Sequence, residues 1–148
     1  MTMRYVSTYF SPNRGAAEVV IGFIDKCKTS LDVAVYAITH DRIAEALIRA
    51  HQRGVTVRVL LDRSQAGSRY SDDEVLEEAG IPVIRDIRSG SMHNKFVIGD
   101  GVSVGTGSFN WTKNADERNA ENFVIVRLKY VIADYQDEFD ALWKLNQR

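Results

Sequence analysis

His93-Asn94-Lys95-Phe96-Val97-Ile98-Gly99-Asp100 opens on two polar side chains two residues apart, runs on through an apolar stretch and stops at an Asp-Gly pair. Side chains alternate faces along a strand, so His93 and Lys95 point the same way. Asp100-Gly101 is a preferred dipeptide for a two-residue hairpin turn, and Val102 to Thr106 supplies the returning strand. Just beyond it, Ser108 and Asn110 repeat the spacing of two around Phe109. Two polar pairs of matched parity on one hairpin can converge on a single anion. A phosphate is the obvious candidate.

Outward from this hairpin, apolar segments alternate with helical patterns, which marks an α/β protein with a mixed sheet flanked by helices. Tyr5 to Phe10 reads as a first strand. Ser11-Pro12 then offers a cap and a first-turn proline for a helix reaching about Lys28. Leu31 to Tyr36 is a strand. Asp41 opens a helix with Ile43, Ala46, Leu47 and Ala50 on one face, closed by Gly54. Val55 to Leu61 is the most β-like run of the chain. Ser71-Asp72-Asp73-Glu74 fits a capping box for a short helix ending at Gly80, and Ile81 to Ile84 gives another strand. Asn122 to Val126 is a strand, and Ile132, Tyr135, Phe139 and Leu142 line one face of a final helix. Arg63 to Tyr70, Arg85 to Ser91 and Thr112 to Asn119 read as irregular. Two of these segments flank the polar pairs, where loops carry function.

The chain has 148 residues, a length expected to form one domain over residues 1–148 with a substantial core. Its 45% hydrophobic and 26% charged residues are ordinary for a globular protein. The formal net charge of −1 provides no global field to draw it onto a polyanion, so such binding requires a local patch. Arg85-Asp86-Ile87-Arg88 and the run Lys113 to Arg118 offer positive charge beside the polar pairs. The single Cys27 excludes an intrachain disulfide and reads as a buried, inert thiol. No stretch approaches the roughly 18 apolar residues of a membrane span. The N-terminus lacks the basic-then-apolar pattern of a leader. A soluble protein is expected, cytoplasmic as the chain stands, or periplasmic if a leader has been removed.

Lys95 weighs most among the polar residues. Phe96-Val97-Ile98 is apolar on both faces, and a lysine entering so dry a strand needs an anionic partner. Asp100 lies five residues further on. Odd parity and the Asp-Gly turn send it away from the pair, so its expected role is structural support. Gly105-Thr106-Gly107 brings backbone close to an anion, but no helix with a third glycine follows, so it is no dinucleotide fingerprint. Glu121 opens a buried-looking strand. His40 and His51 have no lysine two residues on and read as surface or satisfied residues.

These residues resemble the signature of the phospholipase D superfamily: His-x-Lys, four residues, Asp, then a Gly-Ser-x-Asn run. The resemblance spans roughly Val6 to Lys144, and a chain this short with one such motif is most similar to the small bacterial endonuclease branch. It implies a phospholipase D-like α-β-α sandwich and phosphodiester chemistry through a histidine-bound intermediate. His93, Lys95 and Glu121 would then be catalytic, Glu121 by orienting the histidine. Lys95, Ser108 and Asn110 would bind the substrate phosphate, and Asp100 would support the site. No carboxylate cluster with metal-ligand spacing is seen, so no cofactor and no metal are expected. One His-x-Lys provides one histidine where two displacement steps require two, so the expected partner is a second copy, a homodimer sharing its active site. The expected activity is that of a largely non-specific nuclease, with DNA favoured over RNA and no membrane partner. The alternatives are phosphatidyl hydrolysis or transfer on the same residues, and an inactive dimeric nucleic-acid-binding module.

Overall fold

The computed structural model describes residues 4–147. Met1 to Met3, on which the leader reading partly rests, lie outside the described residues, as does Arg148. Seven strands form one mixed sheet. Its antiparallel half holds β1 (Val6–Ser11), β6 (Lys95–Gly99), β7 (Ser103–Gly107) and β9 (Glu121–Val126); its other half holds β2 (Ser30–Val35), β4 (Thr56–Asp62) and β5 (Val83–Asp86). The order is β1-β9-β7-β6-β2-β4-β5, with β2, β4 and β5 parallel and every other pairing antiparallel.

Helices cover both faces, as the α/β pattern requires. The helices α1 (Ala16–Lys26), α2 (Asp41–Gln52) and α3 (Asp73–Glu78) bury Ile24, Leu47 and Leu76 with Val33, Val59 and Val97 of the sheet. On the opposite face, the long C-terminal helix packs Phe139, Leu142 and Trp143 over Ala34, Leu60, Phe96 and Ile98. Strand parity is read directly here. Val97 goes to one core, and Phe96 and Ile98 go to the other. This doubly covered centre explains why β6 is apolar on both sides. Among the described residues, no helix is long and apolar enough to cross a membrane.

Three local readings are corrected. Ser11 does not cap the first helix; it ends β1 opposite Glu121, and its hydroxyl donates to the Asn119 carbonyl at 2.9 Å. The helix instead starts at Ala16, behind Gly15 with its φ of 78°. The segment 112–119 is also more ordered than expected. A strand pair forms parallel between β3 (Ile38–Thr39) and β8 (Trp111–Thr112), and α4 (Lys113–Glu117) follows, capped by Thr112 accepting from the Ala115 amide at 3.1 Å. Finally, the capping box is not made. Asp72 is the cap residue without a side-chain bond, while Asp73 turns inward to accept from the Gly67 amide and from Arg85. The expected final helix forms as α5 (Lys129–Asn146).

Candidate active site

The hairpin places its two ends at opposite ends of the sheet's strands, the upper and lower edges of the sheet. At one edge, Asp100 and Gly101 both take positive φ (53° and 65°), the two-residue turn that strand twist favours. The Asp100 carboxylate accepts from the backbone amides of Lys28, Thr29 and Ser30, and from the Thr29 hydroxyl, tying the turn to the α1–β2 connection. Burial alone would raise this carboxyl, but the Thr29, Ser30 and Lys28 amides outweigh it and hold it below the ordinary range. At roughly 3.4 Å per residue, five residues put Asp100 about 17 Å from Lys95.

Lys95 stands at the other edge, opposite Val35 of β2, where the chain leaves the parallel half of the sheet. His93 precedes the strand rather than lying in it, and is exposed. The ladder still reaches toward it, because the Tyr36 amide donates to the Asn94 carbonyl at 2.9 Å. The Lys95 ammonium lies 3.1 Å from His93 Nδ1 and donates to the His93 carbonyl at 2.7 Å. Burial lowers the pKa of Lys95, against the opposing pull of the Glu121 carboxylate. Tyr36 supports both residues. Its ring centroid is 4.8 Å from that of His93 and 5.4 Å from the Lys95 ammonium.

Ser108 and Asn110 flank Phe109, which is buried edge-on against Phe123, so the residues either side of it turn together to the opposite face. Ser108 Oγ donates to Glu121 Oε1 at 2.7 Å and accepts from the Asn122 amide at 3.0 Å. Asn110 Oδ1 is buried without a hydrogen-bond partner. Glu121 also accepts from Asn119 at 3.2 Å. The bond expected between Glu121 and His93 is not formed within the chain, because Ser108 and Asn119 take the carboxylate while Lys95 and Tyr36 hold the imidazole.

Two expectations about surroundings change. A Cβ on Gly105 would lie 2.4 Å from the Phe123 ring, and one on Gly107 would lie 2.2 Å from the Asn122 carbonyl oxygen. These glycines therefore serve the close packing of β7 on β9 rather than an anion cradle. Three of the four cations expected to build a basic patch are engaged, and Arg118 alone of them makes no ion pair among the described residues. Arg85 is bound by Asp73 and Glu77, Arg88 by Asp86, and Lys113 by Asp41 at 3.2 Å.

One positioning residue escaped the sequence reading. Asp62 ends β4, is 3% exposed, and its Oδ2 accepts from the Met92 amide at 2.7 Å, one residue before His93. Burial pushes its carboxyl up, but bonds from Ser64 and Met92 hold it below the ordinary range. An aspartate closing a strand is a weak signal, and its contact with Met92 spans 30 residues. Cys27 is buried, and desolvation pushes its thiol up to about 12.

A histidine and a lysine at one exposed strand end, with a serine, an asparagine and a glutamate at the same end of the sheet, form a set able to bind and attack a phosphodiester. Comparison with known proteins places it. Residues 20–143 match the family model described as the PLD-like domain of cardiolipin synthase. The chain is 40% identical over 130 residues to a phospholipase D of Rickettsia prowazekii, covering 88% of this chain and 63% of that one. It is 37% identical over 125 residues to a mitochondrial cardiolipin hydrolase of Chlamydomonas reinhardtii, covering 84% and 56%. Among solved structures, it superposes on Nuc from Salmonella typhimurium, a phospholipase D family member, with a TM-score of 0.90 at 32% identity, covering 96% and 95%. The chain belongs to the phospholipase D superfamily. It spans about three fifths of the length of these two curated relatives.

Proposed function

We propose that this chain is a metal-independent phosphodiesterase that cleaves nucleic acid, DNA in preference to RNA, with little sequence specificity. The observation that carries the reading is the Lys95 ammonium 3.1 Å from an exposed His93 imidazole. In the proposed reaction His93 attacks phosphorus in line, forming a nitrogen–phosphorus bond as the ester oxygen leaves with a proton from a second histidine. Water then attacks, gives its proton back to that second histidine, and releases His93 and a phosphate end. Lys95 and Asn110, helped by Ser108, neutralise the non-bridging oxygens, so the positive charge needed at the transition state comes from side chains.

The second histidine is assigned to a second copy of the chain related by a twofold axis, with the site across the interface. Glu121 has no bond to its own His93, so in this dimer the histidine open to it is His93 of the partner subunit.

Phosphatidyl hydrolysis is the competing reading, since relatives carry the names phospholipase D and cardiolipin hydrolase. One experiment separates them. Purified protein is incubated with plasmid DNA in excess EDTA, with His93→Ala alongside, and headgroup release from phospholipid vesicles is measured in parallel. Nicking that persists in EDTA and disappears in His93→Ala is expected. Cleavage restored only by magnesium refutes metal independence, and headgroup release without nicking refutes the nuclease.

A further inference from the structure

The segment from Arg63 to Asp72 joins β4 to α3 at the same sheet edge as His93, and its backbone is pinned at both ends. At the start, the Gln65 and Ala66 amides donate to the Asp62 carbonyl. At the end, the Ser71 amide donates to Ser68 and the Asp72 amide to Ile38 of β3. Between these ties the chain holds Tyr70 out into solvent at 74% exposure, with the Arg69 guanidinium 5.8 Å from the ring centroid. An exposed tyrosine on a tied loop presents an aromatic face free to stack on a ligand.

The start of the loop reaches His93 through Tyr36. Gln65 Nε2 donates to the Tyr36 hydroxyl at 3.1 Å, and the Tyr36 ring is the one packed on His93. Between Tyr70 and α4 lies a depression of about 510 Å³, walled by Arg69, Tyr70 and Ser71 on one side and Thr39, Lys113 and Asn114 on the other. Thr39 and Lys113 adjoin the β3–β8 pair, which continues directly from Asn110. The depression therefore lies at the same end of the sheet's strands as His93 and Asn110. Its volume is in the range of small-ligand sites.

We propose that Tyr70, with Arg69, forms a stacking subsite for an unpaired base next to the scissile phosphate, so that the enzyme engages single-stranded nucleic acid. The inference rests on the nuclease reading above. A base in a duplex already has both faces stacked, whereas a single-stranded base offers one to Tyr70. Arg69 makes no ion pair among the described residues, so its guanidinium can reinforce the stack or meet a flanking phosphate. Two carboxylates, Asp41 and Asp72, also line the depression. Asp41 is paired with Lys113. Asp72 keeps Oδ2 buried, and burial, with Asp41 adding to it, pushes its carboxyl up to about 6. An aromatic ring beside charged and hydroxyl side chains suits a nucleotide better than an acyl chain.

The test compares wild type, Tyr70→Ala, Tyr70→Trp and Arg69→Gln on three substrates. These are a single-stranded oligonucleotide of about 20 nucleotides, the same sequence as a duplex, and bis(p-nitrophenyl) phosphate. Tyr70→Ala should raise KM for the single strand on the order of tenfold, the scale of one lost base stack. Its kcat there, and its kinetics on the other two substrates, should stay within about twofold. Tyr70→Trp should keep the wild-type KM, and Arg69→Gln should fall between. An unchanged single-strand KM in Tyr70→Ala overturns the subsite while leaving the nuclease standing. Equal losses on all three substrates, or a Tyr70→Trp variant as weak as Tyr70→Ala, show a structural role and overturn it too. A wild type that releases phospholipid headgroups but cleaves neither oligonucleotide overturns both readings.

Discussion

Asp100→Ala removes an acceptor that serves three consecutive backbone amides and one hydroxyl. Hydrogen bonds to a charged group contribute about 1.5–3 kcal/mol each when buried. Asp100 is only half-buried, and water can replace part of what is lost, so the sum is expected to be about 2–3 kcal/mol rather than four times one bond. For a domain of this size each kcal/mol moves Tm by about 2–4 °C, which gives a fall of roughly 5–10 °C. Asp100→Asn keeps one acceptor oxygen without the charge and should lose about half as much. The turn lies about 17 Å along β6 from Lys95, so kcat of the folded variants should stay within about twofold. Urea denaturation followed by tryptophan fluorescence measures the first quantity, and phosphodiester cleavage well below the midpoint measures the second. The pH dependence follows from the lowered pKa. Such a group stabilises above its unfolded pKa and loses that contribution as pH falls through its folded pKa. The stability gap between wild type and Asp100→Asn should therefore be full at neutral pH and close below about pH 4. A folded Asp100→Asn protein with the wild-type midpoint and activity as low as His93→Ala would refute the structural role.

Lys95→Ala should lower kcat by at least ~100-fold, the scale of removing one charge-stabilising group, and activity near wild type would place the site elsewhere. Because burial lowers the pKa of Lys95, wild-type activity should fall on the alkaline side before the ordinary lysine range is reached; a rate that stays flat through that range would contradict its role. Asp62→Ala strands the Met92 amide and should cost about 1–3 kcal/mol, together with roughly tenfold in kcat as His93 loses its anchor; a stability loss with unchanged kcat would make Asp62 purely structural. Gly107→Ala brings a methyl against the Asn122 carbonyl and should destabilise by about 1–3 kcal/mol, checked by the thermal midpoint.

The parts legible in the sequence are those fixed by short-range rules. Parity along β6 and β7, the positive-φ turn at Asp100-Gly101 and the helical face from Ile132 to Leu142 each depend on residues a few positions apart. What escaped depends on distant ones. Ser11 has the sequence of a helix cap, yet its hydroxyl goes to a carbonyl 108 residues away. The β3–β8 pair consists of two strands of two residues each, too short for any alternation to register. Arg85 and Arg88 read as free cations because their partners, Asp73, Glu77 and Asp86, belong to salt bridges that only the folded loops assemble.

The same division explains how the site is built. His93 and Lys95 hang from the doubly buried centre of the sheet, where β6 has neighbours on both sides and a core on each face, so their positions are set by the most rigid part of the molecule. What surrounds them comes from the connections after β2, β4 and β7, which carry Tyr36, Gln65, Tyr70 and Lys113 at the same edge. Changes in those loops leave the hairpin geometry intact while altering which flanking groups of a phosphodiester can be held. The relatives named for lipid substrates are 37% and 40% identical to this chain over 125 and 130 residues. Discrimination between a lipid and a nucleic acid is therefore expected to lie in the loops, and substitution at Tyr70 addresses it more directly than substitution at His93, which the proposed reaction requires of any phosphodiester.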